Sequence, residues 1–148
     1  MPQTAKNFFT QQQQDDILQA ILNAELDTSG EIRVHIQKKC TGDILDCASE
    51  IFKKLDMDKT AARNGVLIYL AIENHSFAII GDIGINTMVP EDFWESTKML
   101  MINHFREGEF TEGLVAGITK AGEQLKKHFP YQKNDVNELK DEISFDND

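Results

Sequence analysis

The chain has 148 residues, of which 41% are apolar and 27% are charged, and its formal net charge is −10. A domain of this length buries about 68–70% of the surface that its unfolded chain exposes, so disorder, collagen and coiled coil are poor descriptions of the whole. Because phosphate backbones repel such a charge, we expect no nucleic acid partner. The longest apolar run, residues 66–72, is too short to span a bilayer, so we expect no membrane insertion.

The first predicted elements are a helix and a strand. Thr10 and Gln13 have the spacing of a capping box, and apolar residues at helical intervals follow them, which predicts a helix that ends at residues 29–30. Residues 31–38 then alternate between apolar and polar. This alternation predicts a half-buried strand, with His35 on its polar face.

A second helix and a hairpin follow. Residues 41–43 open a helix with an apolar face that includes Cys47, which we expect to be a buried, reduced thiol. Residues 66–72 form an unbroken apolar run, typical of a central strand that is covered on both faces. Residues 73–75 make a tight turn into a third strand at residues 76–80.

The last third of the chain predicts two helices and a tail. Pro90 is expected in the first turn of one helix, and a second apolar stripe runs from Phe110 until residues 129–130 stop it. Residues 132–148 contain six acids and two lysines, and are interrupted by apolar residues. We treat residues 1–131 as one domain and 132–148 as an acidic tail that is solvated, docks on the domain or binds a partner.

This order of elements predicts an α/β fold: a three-layer α/β/α sandwich with a small mixed sheet of three to four strands. The first two strands bracket a helix, so a right-handed crossover makes them parallel. The third returns through the hairpin and is antiparallel. The starts of the first two strands and the end of the third therefore share one edge of the sheet.

That shared edge carries the candidate site. Asp82 lies between two glycines at the end of the third strand, and the topology brings Asn64, Glu31 and Arg63 to the same edge. Carboxylate and amide oxygens suit a hard cation such as calcium, so we predict Asp82, Asn64 and Glu31 as metal ligands and Arg63 as an anion-binding or cofactor-binding residue. The alternative is that Asp82 only caps the following helix.

Other motifs are absent or incomplete. Asp56 and Asp58 resemble the start of a calcium loop, but the sixth and twelfth positions of such a loop fall on Ala61 and Leu67, which excludes an EF-hand. We find no nucleophile with a supporting base. The N-terminal residues show no secretory signal, so we expect a cytoplasmic protein. We also expect a monomer.

Several blocks of sequence resemble the TPM domain family. They are residues 30–35 (Gly-Glu-Ile-Arg-Val-His), 63–70 (Arg-Asn-Gly-Val-Leu-Ile-Tyr-Leu), 77–85 (Phe-Ala-Ile-Ile-Gly-Asp-Ile-Gly-Ile) and 105–114 (Phe-Arg-Glu-Gly-Glu-Phe-Thr-Glu-Gly-Leu). The resemblance extends over residues 10–130 and is strongest to the stand-alone bacterial form. It departs at Asn64, where the family often has Asp, and in the absence of a signal peptide and a membrane anchor.

The resemblance implies an α/β/α sandwich and a calcium site. Plant relatives in the thylakoid lumen are associated with photosystem II repair, and acid phosphatase activity has been proposed for them. Three hypotheses follow for this chain: a non-catalytic module that binds a divalent cation, a metal-dependent acid phosphatase in which Arg63 steadies the phosphate, and a protein-interaction module that acts through the tail.

Overall fold

The structure is a computed structural model that describes residues 4–131 and 143–146. Its sheet has four strands in the order β3-β2-β1-β4. The strands are β1 (Glu31–Gln37), β2 (Gly65–Ala71), β3 (Ser76–Gly81) and β4 (Ile143–Phe145). The helices are α1 (Gln11–Glu25), α2 (Ile44–Lys54), α3 (Ile83–Asn86), α4 (Phe93–Arg106) and α5 (Phe110–His128), with a 3₁₀ turn at Met57–Lys59.

The pairing of the strands decides which residues meet at the edge of the sheet. β1 runs parallel to β2 with Glu31 opposite Gly65, and β3 runs antiparallel to β2 with Gly81 opposite Val66. The starts of β1 and β2 and the end of β3 therefore lie at one edge, as the sequence predicts. The hairpin turn that joins β2 to β3 lies at the opposite end.

Two apolar layers cover the sheet. Helices α1, α4 and α5 pack on one face, where Ile21, Met101 and Ile118 join the inward side chains of β1 and β2. Helix α2 packs on the other face, where Phe52 contacts a smaller cluster that includes Tyr69. This arrangement confirms the three-layer α/β/α sandwich with a mixed sheet.

The ends of the helices follow their capping residues. Thr10 caps α1 through the predicted capping box with Gln13. The helix ends at Glu25, earlier than predicted, because Leu26 is extended. Pro90 lies before α4 and not in its first turn, and its carbonyl accepts a hydrogen bond from the backbone N–H of Phe93.

Strand β1 differs from its prediction in burial. The alternating pattern predicts a polar, solvent-facing side, but Glu31, Arg33 and His35 are all at most 6% exposed. Part of the covering comes from the tail, since β4 pairs in parallel with β1 and puts Ser144 opposite His35. Tail residues 132–142 and 147–148 lie outside the described residues.

The two cysteines form a disulfide. Cys40 follows β1 and Cys47 lies in the first turns of α2, and the sulfur atoms of the two residues are bonded. The prediction of a reduced thiol at Cys47 is therefore wrong in this structure. Disulfides persist mainly in oxidising compartments, so a cytoplasmic location stays a prediction. Within residues 4–131 and 143–146, every helix is too short or too polar to cross a bilayer.

Candidate functional site

Asp82 and Arg63 form the centre of the candidate site. The guanidinium of Arg63 donates from Nε to Asp82 Oδ2 at 2.6 Å and from Nη2 to Asp82 Oδ1 at 2.8 Å. The carboxylate also caps helix α3, because Oδ1 accepts the backbone N–H of Ile83 at 2.8 Å. Asp82 therefore caps α3, as the alternative predicts, and it also pairs with Arg63.

The two partners differ in their exposure to water. The side chain of Asp82 is 7% exposed, whereas that of Arg63 is 47% exposed. The hydrogen bond to Asp82 is the main reason that the pKa of Arg63 rises above its ordinary value, with a smaller contribution from the charge of Asp58. A buried carboxylate is therefore neutralised by a cation that reaches it from the solvent side.

The backbone around this pair is tightly constrained. Arg63 has a φ of 52°, a left-handed conformation that is uncommon for a residue with a side chain. Its carbonyl accepts the N–H of Gly84 at 2.7 Å, and a Cβ on Gly84 would lie 2.1 Å from the carbonyl oxygen of Ala62. Gly84 is thus required for the close approach that holds Arg63 beside Asp82.

The other two predicted ligands lie at the same edge with different surroundings. Asn64 is 2% exposed, and its amide donates to Ser29 Oγ at 3.4 Å. Glu31 is also 2% exposed and pairs with Gly65 at the start of the sheet. The topology therefore gathers these residues at one edge as predicted, and two side-chain hydrogen bonds join Arg63 to Asp82.

Asp58, which the sequence offers only as part of a rejected calcium loop, lies in the same pocket as Asp82. It lies in the 3₁₀ turn after α2, and its Oδ1 is buried without a hydrogen-bond partner among the described residues. Together with the Arg63–Asp82 pair it lines a pocket of about 270 Å³. The pocket is lined by Ser49, Phe52, Lys53, Asp58, Arg63, Ile80, Gly81 and Asp82.

The pocket is small and of mixed charge. Its volume lies just below the 300–1,000 Å³ that is usual for small-molecule sites, which suits an ion with its water shell. Within the part of the chain that the structure describes, no three His, Cys, Asp or Glu side chains form a group that could hold a metal ion. Protein carboxylates would thus supply only part of the coordination shell of a cation, with water supplying the rest.

Comparisons with known proteins agree on one family. The family model described as the TPM domain matches residues 3–124. No curated protein matches the chain.

Several solved structures have the same fold. The NMR structure of the BA42 protein from the psychrophilic bacterium Bizionia argentinensis is 46% identical, with a TM-score of 0.88 over 95% of this chain and 97% of that one. The N-terminal domain of a protein from P. gingivalis is 16% identical, with a TM-score of 0.67 over 85% and 83% of the two chains. The N-terminal domain of a Corynebacterium glutamicum protein is 12% identical, with a TM-score of 0.62 over 80% and 74%. These two identities are low, so the two domains support the fold alone.

Proposed function

The chain belongs to the TPM domain family, and from that premise we propose that it binds a divalent cation, calcium in the first place, between Asp58 and Asp82. We propose further that it acts as a non-catalytic accessory module. The observation that carries the proposal is the buried Oδ1 of Asp58, which has no hydrogen-bond partner among the described residues and lines the same pocket as Asp82. A buried, unpartnered carboxylate oxygen is costly unless something binds it.

Arg63 is the counter-charge that a cation must compete with. It already holds both oxygens of Asp82, so binding of calcium would weaken or replace this ion pair. Because Arg63 is half exposed, its side chain is able to swing into water when the cation arrives. The proposed site therefore exchanges a protein cation for a metal cation on a carboxylate that stays buried.

The affinity should be modest. Calcium takes six to eight oxygen ligands, and sites with few carboxylates have dissociation constants of about 10⁻⁴–10⁻³ M. At about 10 mM calcium, such a site would stabilise the folded protein by about 1.4–2.7 kcal/mol. Asn64 and Glu31 remain candidates for further ligands, but Asn64 would first have to leave Ser29.

The test is a calcium titration of the wild-type protein by calorimetry and by thermal unfolding. Asp58→Asn and Asp82→Asn should each abolish the heat of binding and the calcium-dependent stabilisation. Asp56→Asn is the matched control, because Asp56 lies two residues away, is exposed and pairs with Lys59. Arg63→Gln should tighten calcium binding, because it removes the competing cation.

The outcomes separate the cation-binding hypothesis from the phosphatase hypothesis. If wild-type protein gives no heat and no stabilisation at 10 mM calcium, the proposed site does not exist. If Asp56→Asn loses binding as fully as Asp58→Asn, the effect is only one of net charge. Release of phosphate from an aryl phosphate ester is measured in the same samples, and a calcium-dependent rate that falls in Arg63→Gln would favour the phosphatase hypothesis over a non-catalytic module.

A further inference from the structure

A second and larger cleft opens at the other end of the sheet. It has a volume of about 650 Å³ and lies where the hairpin between β2 and β3 approaches the end of α4 and the start of α5. The residues that give it its apolar character are Leu70, Ile72 and Ile102 together with Phe8, Phe77, Phe105 and Phe110. This volume falls within the range of small-molecule sites.

The aromatic side chains of this cleft form one connected group. Phe105 meets Phe77 edge to face at 5.0 Å between ring centroids and stacks with Phe110 at 5.6 Å. Phe8 meets Phe110 edge to face at 5.5 Å. Ring faces and edges are the surfaces against which another aromatic ring packs favourably. The lining therefore favours a planar, aromatic ligand.

Arg106 gives the cleft a positive end. It is an exposed residue in the last turn of α4 that lines the cleft. None of the ion pairs found among the described residues includes it. A basic residue at the C-terminal end of a helix is stabilised by the helix dipole, which accounts for Arg106 by itself. The helix dipole does not explain why Arg106 lines an aromatic cleft of ligand size.

The remaining polar residues of the lining come from the hairpin. Glu73 and His75 are exposed turn residues, and Ser76 begins β3. The Ser76 hydroxyl already donates to the carbonyl of Asn74 at 3.0 Å. Glu73 carries the one negative charge of the lining, and it would oppose an anionic ligand through solvent, where such effects are weak.

We propose that this cleft binds a small aromatic carboxylate, with the ring among the phenylalanines and the carboxylate on Arg106. The planar fork of a guanidinium matches a carboxylate with two parallel hydrogen bonds. The site is separate from the cation pocket, since Phe77 and Gly81 are four strand residues apart, or about 14 Å at the rise of a β-strand. It also does not depend on the proposed cation site.

The test uses naphthalene-2-carboxylate as the probe and naphthalene-2-carboxamide as its neutral analogue, at pH 8, where ordinary histidines are neutral. Wild-type protein should bind both, and bind the carboxylate more tightly. Arg106→Gln should weaken carboxylate binding by about fivefold to tenfold and leave the amide unchanged. Lys127→Gln is the matched control, because Lys127 is an exposed base in the last turn of α5.

Two further variants locate the probe and the charge. Ile102→Trp fills the cleft and should remove binding of both probes. In the wild-type protein, changes in the NMR chemical shifts of the Leu70 and Ile72 methyl groups on addition of the probe would show directly where it binds. Glu73→Gln should tighten the carboxylate alone. The proposal is overturned if wild-type protein shows no saturable binding, if the shifts map away from the cleft, or if Arg106→Gln and Lys127→Gln lower carboxylate binding equally.

Discussion

At the scale of single residues, His35 is a buried histidine whose surroundings shift its pKa. It is 5% exposed, its Nδ1 lies 2.7 Å from Ser144 Oγ, and its ring stacks on Tyr69 with centroids 6.0 Å apart. Burial, followed by the charges of Lys54 and Arg33, lowers its pKa to about 4. The folded protein therefore keeps His35 neutral at pH values where an unfolded chain would protonate it.

This shift makes the stability depend on pH. The folded-state pKa of His35, about 4, lies below the ordinary value of about 6.5, so the unfolded chain binds the extra proton between these two pH values. The stabilisation is complete above pH 6.5 and is lost as the pH falls to 4, a change of about 3 kcal/mol. Urea unfolding of wild type and His35→Gln between pH 7.5 and 4 should show this difference.

The control for that measurement is His75→Gln, because His75 is exposed in the hairpin turn. Its replacement leaves the surroundings of His35 in place, so an equal change of slope in both variants would not be specific to the buried imidazole. An unchanged slope in His35→Gln would show that the buried histidine does not set the acid sensitivity.

The candidate site shows how far residue-level inference reaches from sequence. That Asp82, Asn64 and Glu31 share an edge follows from strand direction alone, which hydrophobic patterns reveal. The partners of each side chain depend on the path of the chain between α2 and β2. Asp56 and Arg63 both adopt positive φ values there, and neither residue type demands such a conformation. For this reason the position of Asp58 in the same pocket as Asp82 could not be read from the sequence.

At the scale of elements, strand β4 joins the tail to the domain. The N–H of Asp146 donates to the carbonyl of Ile36 at 3.3 Å, and Asp146 Oδ2 accepts the N–H of Lys38 at 2.9 Å. Ile143 and Phe145 are half-buried and pack against the larger core cluster. Strand β4 therefore pairs with the outer edge of β1 and shields His35 from solvent.

Removal of residues 143–148 should therefore have two effects. The protein should lose about 2 kcal/mol of stability, since two half-buried apolar side chains return to water. The pKa of His35 should rise from about 4 towards its ordinary value, because the imidazole gains access to water. An NMR titration of the imidazole protons measures the second effect, and urea unfolding measures the first.

Ser144→Ala is the partial control for this truncation. It removes only the hydroxyl beside His35 and keeps the strand, so it should move the pKa less than the truncation does. A pKa that is the same in the truncated and full-length proteins would mean that β4 does not shield the histidine.

The elements found by periodicity were the long ones. The patterns predict α1, α2, α4, α5 and the strands β1, β2 and β3, because each carries an apolar stripe or run that the core selects. Helix α3 has only four residues and is too short for a period. Strand β4 has three residues within an acidic segment, and its pairing comes from the exposed edge of β1 and not from its own composition.

At the scale of the whole molecule, the negative charge of the chain does not locate its sites. The two clefts lie at opposite ends of the β2–β3 hairpin, and each combines basic and acidic residues. What the net charge of −10 does predict is the exclusion of polyanionic partners. The sites depend instead on strand direction at one end and on helix packing at the other.

The disulfide also acts on the whole molecule, through the unfolded chain. Cys40 and Cys47 are seven positions apart, and closing a loop of this size lowers the entropy of the unfolded state by an amount worth about 2.5 kcal/mol. In the folded state, Cys40 is held independently, since its N–H donates to Asn74 Oδ1 at 2.9 Å and its carbonyl accepts from Asn74 Nδ2 at 2.8 Å. Reduction should therefore leave the fold in place and lower its stability.

The measurement is urea unfolding with and without a phosphine reductant, for wild type and for the double variant Cys40→Ala, Cys47→Ala. Wild type should lose about 2.5 kcal/mol on reduction, and the double variant should not respond, because it has no bond to break. The opposite result has two parts: the stability of the wild-type protein does not change with the reductant, and the untreated protein reacts with two equivalents of an alkylating agent. Together they would show that both cysteines are reduced thiols. That result would restore the sequence-based expectation for Cys47, whereas the loss of stability would show that the disulfide forms and stabilises the fold in solution.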